Sequence, residues 1–368
     1  MRDSQTLSEL QAYPLSIKEG LTRQRIRELI SRVGSDGFYV SFSGGKDSEV
    51  AVDFTAKTMA AFGCDKMHVL HVRTHLEYLS VTRFCKPFCE KISQKHGIEV
   101  ILDLEYPKTT FMQVLTEYGY PVIGKEASEV ISEARKGLKN GDGSYSYRFD
   151  QLNGRKKSPD GEKSAYNYEK WKFLMDAPFR ISNKCCDRTK KAPAISYEKR
   201  TGRIPLIATM CEESRLRRQA WILHGCNAFD GKRPSSRPFS FWRQRDILEY
   251  IYTNRLPIAE AYGRVLPIRA GIPGQADIFD LFGGRSESDT CEYCTTGCDR
   301  TGCLYCLFGI MSDRERIKRL KEIEPERTDF VLRGGETDSE GYLVPNKEGL
   351  GYAKVLDWFA SKGIDIPY

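Results

Sequence analysis

The chain has 368 residues, 40% of them apolar and 29% charged, a balance that allows a packed core of one large or two modest domains and excludes global disorder. No apolar run approaches the roughly 20 residues that span a bilayer, and the N-terminal MRDSQTLSELQAYPLS has no basic segment ahead of an apolar one, so neither a membrane span nor a secretory signal is expected and the default location is cytoplasmic. Lys and Arg number 57 against 50 Asp and Glu, a formal net charge of +7; the basic clusters KSPDGEKSAYNYEKWK, KCCDRTKK and SRLRRQ fit ordinary surface bias or a polyanionic partner, nucleotide or nucleic acid.

GFYVSF, from residue 37, is a short apolar, β-prone run that stops at a Gly pair, and a helical pattern follows through Val50, Phe54 and Met59. MHVLHV (67–72) predicts a strand, 78–96 a helix, and IEVILDL (98–104) another strand. Strands alternating with helices predict an α/β fold, a parallel twisted sheet with helices on both faces. Residues 108–138 read as helical with a break near Pro121. The polar stretch 139–167, rich in Gly, Ser, Lys and Tyr, has no sustained period and is expected to form a mobile excursion or lid. A helical stretch near 168–175 leads to a Cys pair. RIPLIAT (203–209) predicts a buried strand and CEESRLRRQAWILHG a helix after it. FSFWRQRDILEYIYTN predicts a further helix with Asp246 near its start, where its charge suits the dipole. After about residue 250 the pattern loosens into Gly/Pro segments, a Cys cluster and two closing helices, 312–323 and 350–361.

Ser43-Gly44-Gly45-Lys46-Asp47-Ser48 sits at the first strand-to-helix junction. Its glycines let the backbone approach an anion, the free N–H groups of the helix N-terminus favour negative charge, and Lys46 adds a cation. The spacing is not that of Walker A, which needs four residues between its first Gly and the Gly-Lys pair. It resembles SGGKDS, the signature of the PP-loop ATP pyrophosphatases. That resemblance implies an adenine nucleotide alpha-hydrolase-like fold and cleavage of ATP between the α- and β-phosphates, with adenylation of a substrate. It also implies that the loop grips pyrophosphate and that Asp47 helps place Mg2+. His71-Val72-Arg73-Thr74 ends the second strand. Ligands of open α/β sheets bind at carboxyl ends of strands, and by the same resemblance His71 and Arg73 face adenine; a polar strand cap is the structural alternative. The expected division is a nucleotide-binding domain over residues 1–250, including the 139–167 lid, and a cysteine-rich C-terminal region over 251–368.

The chain has twelve cysteines, unevenly grouped: Cys185 beside Cys186, then Cys291, Cys294, Cys298, Cys303 and Cys306. In a long chain without a secretory signal such grouping points to metal rather than disulfides. Lys184-Cys185-Cys186-Asp187-Arg188, followed by Glu213-Ser214-Arg215, together with SGGKDS, resembles the sulfonucleotide (adenylylsulfate and phosphoadenylylsulfate) reductase family over residues 36–310. In its iron–sulfur branch a Cys-Cys pair and a later Cys-x-x-Cys hold a 4Fe–4S cluster beside the nucleotide, which implies Cys185, Cys186, Cys303 and Cys306 as ligands here. Four thiolates meet the count such a cluster needs; zinc and a redox dithiol are the alternatives. Cys291, Cys294 and Cys298 could form a second metal site, share ligation, or carry sulfur, with Cys298 the candidate for a catalytic thiol. Cys64, Cys85, Cys89, Cys211 and Cys226 read as core.

Three departures separate the chain from the reductases. A reductase needs a nucleophilic Cys in a Glu-Cys-Gly-type C-terminal motif, and this chain ends in LDWFASKGIDIPY with no Cys after Cys306. Reductases carry a degraded phosphate loop, and this one is intact. Their Gly-x-Arg-x-x-Glu-Ser has Ala208 and Met210 here, with Glu213, Ser214 and Arg215 kept. The expectation is therefore an ATP-dependent sulfurtransferase: Lys46 and Asp47 support adenylation of an acceptor, Ser43–Ser48, His71, Arg73, Glu213, Ser214 and Arg215 bind the nucleotide, and sulfur follows. A sulfonucleotide reductase and a non-catalytic nucleotide or redox sensor are the alternatives. Expected partners are an adenine nucleotide, a nucleic-acid or small-molecule sulfur acceptor, a cysteine desulfurase or reductant, and a second copy in a homodimer. Lys125 is a further anion-contact candidate, Arg215 is preferred over Arg217 and Arg218, Trp221 and Trp242 read as core anchors, and no partner is assigned to His68, His75, His96 or His224.

Overall fold

A computed structural model describes residues 3–137, 146–164, 166–231, 233–268 and 293–368. The described residues fall into two compact units. One is drawn from 1–73, 77–105 and 194–302, the other from 74–76, 106–193 and 303–368. This differs from a cut at residue 250. The chain leaves the sheet after its third strand and returns to it for the fourth, so residues 106–193 pack with the C-terminal segment and 251–302 with the sheet.

The first unit is built on β1 (Phe38–Ser41), β2 (Lys66–Val72), β3 (Glu99–Glu105), β5 (Ile204–Leu206), β6 (Asn227–Ala228) and β7 (Ser235–Ser236), in the order β3-β2-β1-β5-β7-β6. All neighbours are parallel except β6 and β7. The register sets Val40 opposite both Val69 and Leu206. Phe38, Tyr39 and Val40 are all buried, the continuous apolar run that a sheet covered on both faces requires. Tyr39 and Leu70 face Tyr197 of α9 (Ala192–Thr201), with the two tyrosine rings edge-on at 5.1 Å. The opposite face takes α3 (Lys46–Ala61) and α4 (Leu79–His96), where Phe42 stacks on Phe88 at 5.5 Å. The architecture is thus α/β, a mostly parallel sheet with helices on both sides in a cysteine-rich chain.

Two helices cover the outer side of α3: α2 (Leu15–Val33) and α11 (Gln244–Thr253). They are joined by the buried ion pair Lys18–Asp246, 2.6 Å. Asp246 also accepts the Arg243 N–H at 2.6 Å, so it caps α11 as well as answering Lys18. Trp242 is fully buried against Phe54, Phe239 and Tyr250, with its indole N–H on Thr22 Oγ1 at 2.7 Å. Trp221 is buried too. His96 meets the buried Asp53 carboxylate at 2.8 Å, and His68 lies against Asp36, Asp103 and Arg203. Both histidines therefore have partners that sequence reading did not assign.

In the second unit the 108–138 stretch is two helices, α5 (Phe111–Tyr118) and α6 (Lys125–Arg135), separated by the short strand β4 (Val122–Ile123). Pro121 stands where the first helix has already ended, and β4 pairs in parallel with β10 (Leu307–Phe308). The expected lid is partly outside the described residues. Its described part contains a helix, α7 (Tyr147–Leu152), packed on α6 through Arg148, which pairs with Glu129 and Glu133. Three closing helices follow, at Arg316–Ile323, Pro325–Leu332 and Tyr352–Ser361; the middle one was not anticipated. Among the described residues no helix is long and apolar enough to cross a membrane.

Candidate functional site

The chain runs β1, β2, β3 to one side and then places β5 on the other side of β1. A crevice opens at such a reversal, beyond the carboxyl ends of the two strands. The segments bordering it are Ser43–Ser48 after β1 and the turn before α10 (Arg215–His224) after β5. Gly44 takes φ +70°, and a Cβ there would fall 2.5 Å from Val81 Cγ1, so only glycine fits. The Ser48 hydroxyl braces the turn, accepting from the Ser43 N–H (3.1 Å) and donating to the Gly45 carbonyl (2.8 Å). Gly45 is the N-cap of α3, so Lys46 and Asp47 open the helix with its positive dipole end at the loop.

Lys46 is 2% exposed. Its Nζ donates to the Asp299 carbonyl (2.6 Å) and stands 4.0 Å from Asp47 Oδ1. That Asp47 oxygen is buried and accepts no hydrogen bond. Glu49, on the same first turn, is fully buried; its Oε1 accepts the Ala259 N–H (3.3 Å) and its Oε2 accepts nothing. Burial, reinforced by the Asp47 charge, pushes the Glu49 carboxyl well above its usual range, which favours its neutral form.

His71, at the end of β2, is buried with Nδ1 donating to the Phe42 carbonyl (2.9 Å). Arg73 follows it, and its buried Nε donates no hydrogen bond. On the β5 side, Glu213 accepts the Met210 N–H (2.9 Å) and pairs with the Arg217 guanidinium, while Ser214 caps α10 through the Arg217 N–H (3.2 Å). Arg215 opens that helix with its side chain exposed. Arg217 is the basic residue that shares its surroundings with Asp47, Arg237 and Arg300, and burial together with Arg300 lowers its pKa. Arg215 and Arg217 thus both stand on the first turn of α10, and Arg217 is the one of the two that pairs with Glu213. Tyr262 and Asp299 touch the loop or its lysine, and Thr301 bonds the Tyr262 hydroxyl; the sequence gives none of the three a role.

The second group lies wholly within the other unit. Cys185 and Cys186 end a short helix, α8 (Lys184–Cys186), that runs into a π turn at Asp187–Lys191, a local geometry that recurs at functional sites. Cys303 and Cys306 come from the segment before β10. The four thiols are neighbours. Burial raises the pKa of Cys185, Cys186 and Cys306, the last to about 11, and in each case the nearby Cys303 raises it further. Lys125 and Lys190 act in the opposite sense on Cys186, and Arg316 and the Phe308 N–H on Cys306. Arg316 also donates to the Cys303 and Cys306 carbonyls. Lys125 thus lies near Cys186 and beside Asp187 (3.8 Å). Among the described residues, no group of three or more His, Cys, Asp or Glu side chains is placed to hold a metal ion. Cations or a backbone N–H act on two of the four sulfurs, those of Cys186 and Cys306, and would answer the negative charge of a thiolate-ligated group held there.

Of the remaining cysteines, Cys298 belongs to the first unit, where its N–H donates to the Ala261 carbonyl (2.9 Å) next to the Asp299 that receives Lys46. Cys294 is buried in that unit on β9 (Tyr293–Thr295), and Cys291 lies outside the described residues. Cys85, Cys89, Cys211 and Cys226 are buried, while Cys64 is half-buried.

No family model matches the chain, and no curated protein matches it. Among solved structures, the phosphoadenylyl-sulfate (PAPS) reductase from Candida auris, crystallised as a phosphate complex, aligns over 70% of this chain and 90% of its own, with a TM-score of 0.33 and 11% identity.

Proposed function

We propose that the chain is an ATP-dependent sulfurtransferase-like enzyme that adenylates an acceptor, releases pyrophosphate, and delivers sulfur to the activated position with the help of a 4Fe–4S cluster. The observation that carries this reading is the intact Ser43–Ser48 loop at the reversal of strand order, with Lys46 and a buried, unbonded Asp47 oxygen at its helix end. An acceptor oxygen attacks the α-phosphorus, the bond to the β-phosphate breaks, and pyrophosphate leaves with the electron pair. Loop N–H groups and Lys46 stabilise the charge that grows on it, and Asp47 is a hard oxygen ligand for Mg2+. Sulfur at the sulfide level then displaces AMP. Arg73 and Arg215 are cations available to the nucleotide or the acceptor, with Arg217 on the same helix as Arg215. Cys185, Cys186, Cys303 and Cys306 would hold the cluster, and when bound it supplies a place to hold the sulfur.

The test is anaerobic isolation followed by incubation with ATP, Mg2+ and sulfide in the presence of candidate acceptors. The reading expects about four irons per chain and AMP with pyrophosphate as products. Stoichiometric zinc without iron contradicts the cluster, and ADP with phosphate contradicts the site of cleavage.

A further inference from the structure

The donors that the loop would offer an anion are engaged by the protein's own chain. The Lys46 N–H donates to the Tyr262 hydroxyl (3.2 Å), that hydroxyl shares a hydrogen bond with Thr301 Oγ1 (2.8 Å), and Lys46 Nζ donates to the Asp299 carbonyl (2.6 Å). Tyr262 is 2% exposed, and the Lys46 ammonium lies over its ring, 5.4 Å from the centroid. A Cβ built on Gly45 would stand 3.1 Å from the Tyr262 hydroxyl, so this oxygen fills the space that the glycine leaves against the loop. Glu49 fastens the same turn through the Ala259 N–H (3.3 Å).

The turn is one piece of structure. Thr296 N–H donates to Arg264, Gly297 N–H to Tyr262 and Cys298 N–H to Ala261, each at 2.9 Å. β9 also pairs with β8 (Val265–Pro267). Whatever moves Tyr262 therefore moves the backbone that carries Cys298 and Asp299.

We propose that this piece is a built-in competitor for the loop: the Tyr262 hydroxyl and the Asp299 carbonyl hold Lys46, and phosphate oxygens displace them on binding, releasing the turn that carries Cys298. The direction follows from chemistry. A neutral hydroxyl and a carbonyl are weaker partners for an ammonium and a helix N-terminus than an anionic oxygen, whose charge-assisted hydrogen bonds are about twice as strong. The proposal rests on the reading of the loop as a phosphate site. It adds to that reading a coupling: the thiol at 298 changes its surroundings when nucleotide arrives, and not before.

The experiment titrates Mg2+ and inorganic pyrophosphate into the full chain and into Tyr262→Phe by calorimetry, with hydrogen exchange followed in peptides spanning 256–264 and 293–302. Removing the hydroxyl removes one competing hydrogen bond, so Tyr262→Phe should bind pyrophosphate about 5-fold tighter. In the unsubstituted chain, saturating pyrophosphate should speed exchange at Gly297 and Cys298. Weaker binding by Tyr262→Phe would make the hydroxyl a phosphate contact and overturn the proposal. Unchanged exchange under saturating pyrophosphate would overturn it as well, even if the variant does not fold. Failure of the unsubstituted chain to bind pyrophosphate would remove the phosphate-site reading and the proposal together, whereas binding with unchanged exchange removes the proposal alone.

Discussion

At the Ser43–Ser48 loop, six consecutive residues supply the glycines, the cation and the carboxylate, and one strand–helix junction positions them all. The thiol group is drawn instead from 185–186 and 303–306, stretches that meet only through the packing of the second unit around β4 and β10. The loop is a property of local backbone geometry, whereas the thiol group is a product of tertiary assembly. A change at one should therefore leave the other's chemistry standing, and the expected failures differ in kind.

The largest effect is expected at the thiols. Cys186→Ser or Cys303→Ser should take iron in anaerobic preparations from about four per chain to nearly none, because a lost thiolate leaves the cluster under-ligated. Binding of Mg2+ and ATP should persist. Retention of full iron in both variants would break the assignment of these ligands.

Next come the loop residues. Lys46→Ala and Asp47→Ala should each lower formation of AMP and pyrophosphate by about 10²-fold or more, since each removes charge stabilisation that grows as pyrophosphate leaves. Iron content should stay unchanged. If turnover survives in both, the loop is a structural turn and the two regions do not divide the chemistry as argued.

How far each region was legible in the sequence follows the same division. β1, α3, β2, α4 and β3 could be read because each has its own apolar period and the glycines mark the turn between the first two. α2 escaped notice because its buried positions Leu15, Lys18, Thr22, Ile26 and Leu29 include a lysine and a threonine, polar residues that only their partners Asp246 and Trp242 reconcile with burial. Tyr262, Asp299 and Thr301 were illegible for a related reason. Tyr262 and Asp299 reach the loop from more than 200 residues away, with Thr301 behind the Tyr262 hydroxyl, and no local pattern records that contact. The pairing of Arg217 with Glu213 was equally hidden, because it crosses the extended Ser214 that caps α10.

A smaller effect probes the first turn of α3. Glu49 has its carboxyl raised in the folded chain by burial. A raised carboxyl contributes stability that is present below its unfolded pKa, 4.5 for the free side chain, and that is lost as pH rises through the folded value. Glu49→Gln cannot ionise, so its melting temperature should gain on the unsubstituted chain as pH rises above 4.5. A difference independent of pH would mean that Glu49 is already charged in the fold.

The central claim is that the loop is made for a nucleotide with its β- and γ-phosphates in place. The most direct measurement is a calorimetric comparison of ATP, AMP and adenylylsulfate, each with Mg2+, on the anaerobically isolated chain. The account predicts that ATP binds more tightly than AMP, because only ATP reaches Lys46, Asp47 and the loop N–H groups with its terminal phosphates. Equal affinity for ATP and AMP, or a clear preference for adenylylsulfate, would contradict it.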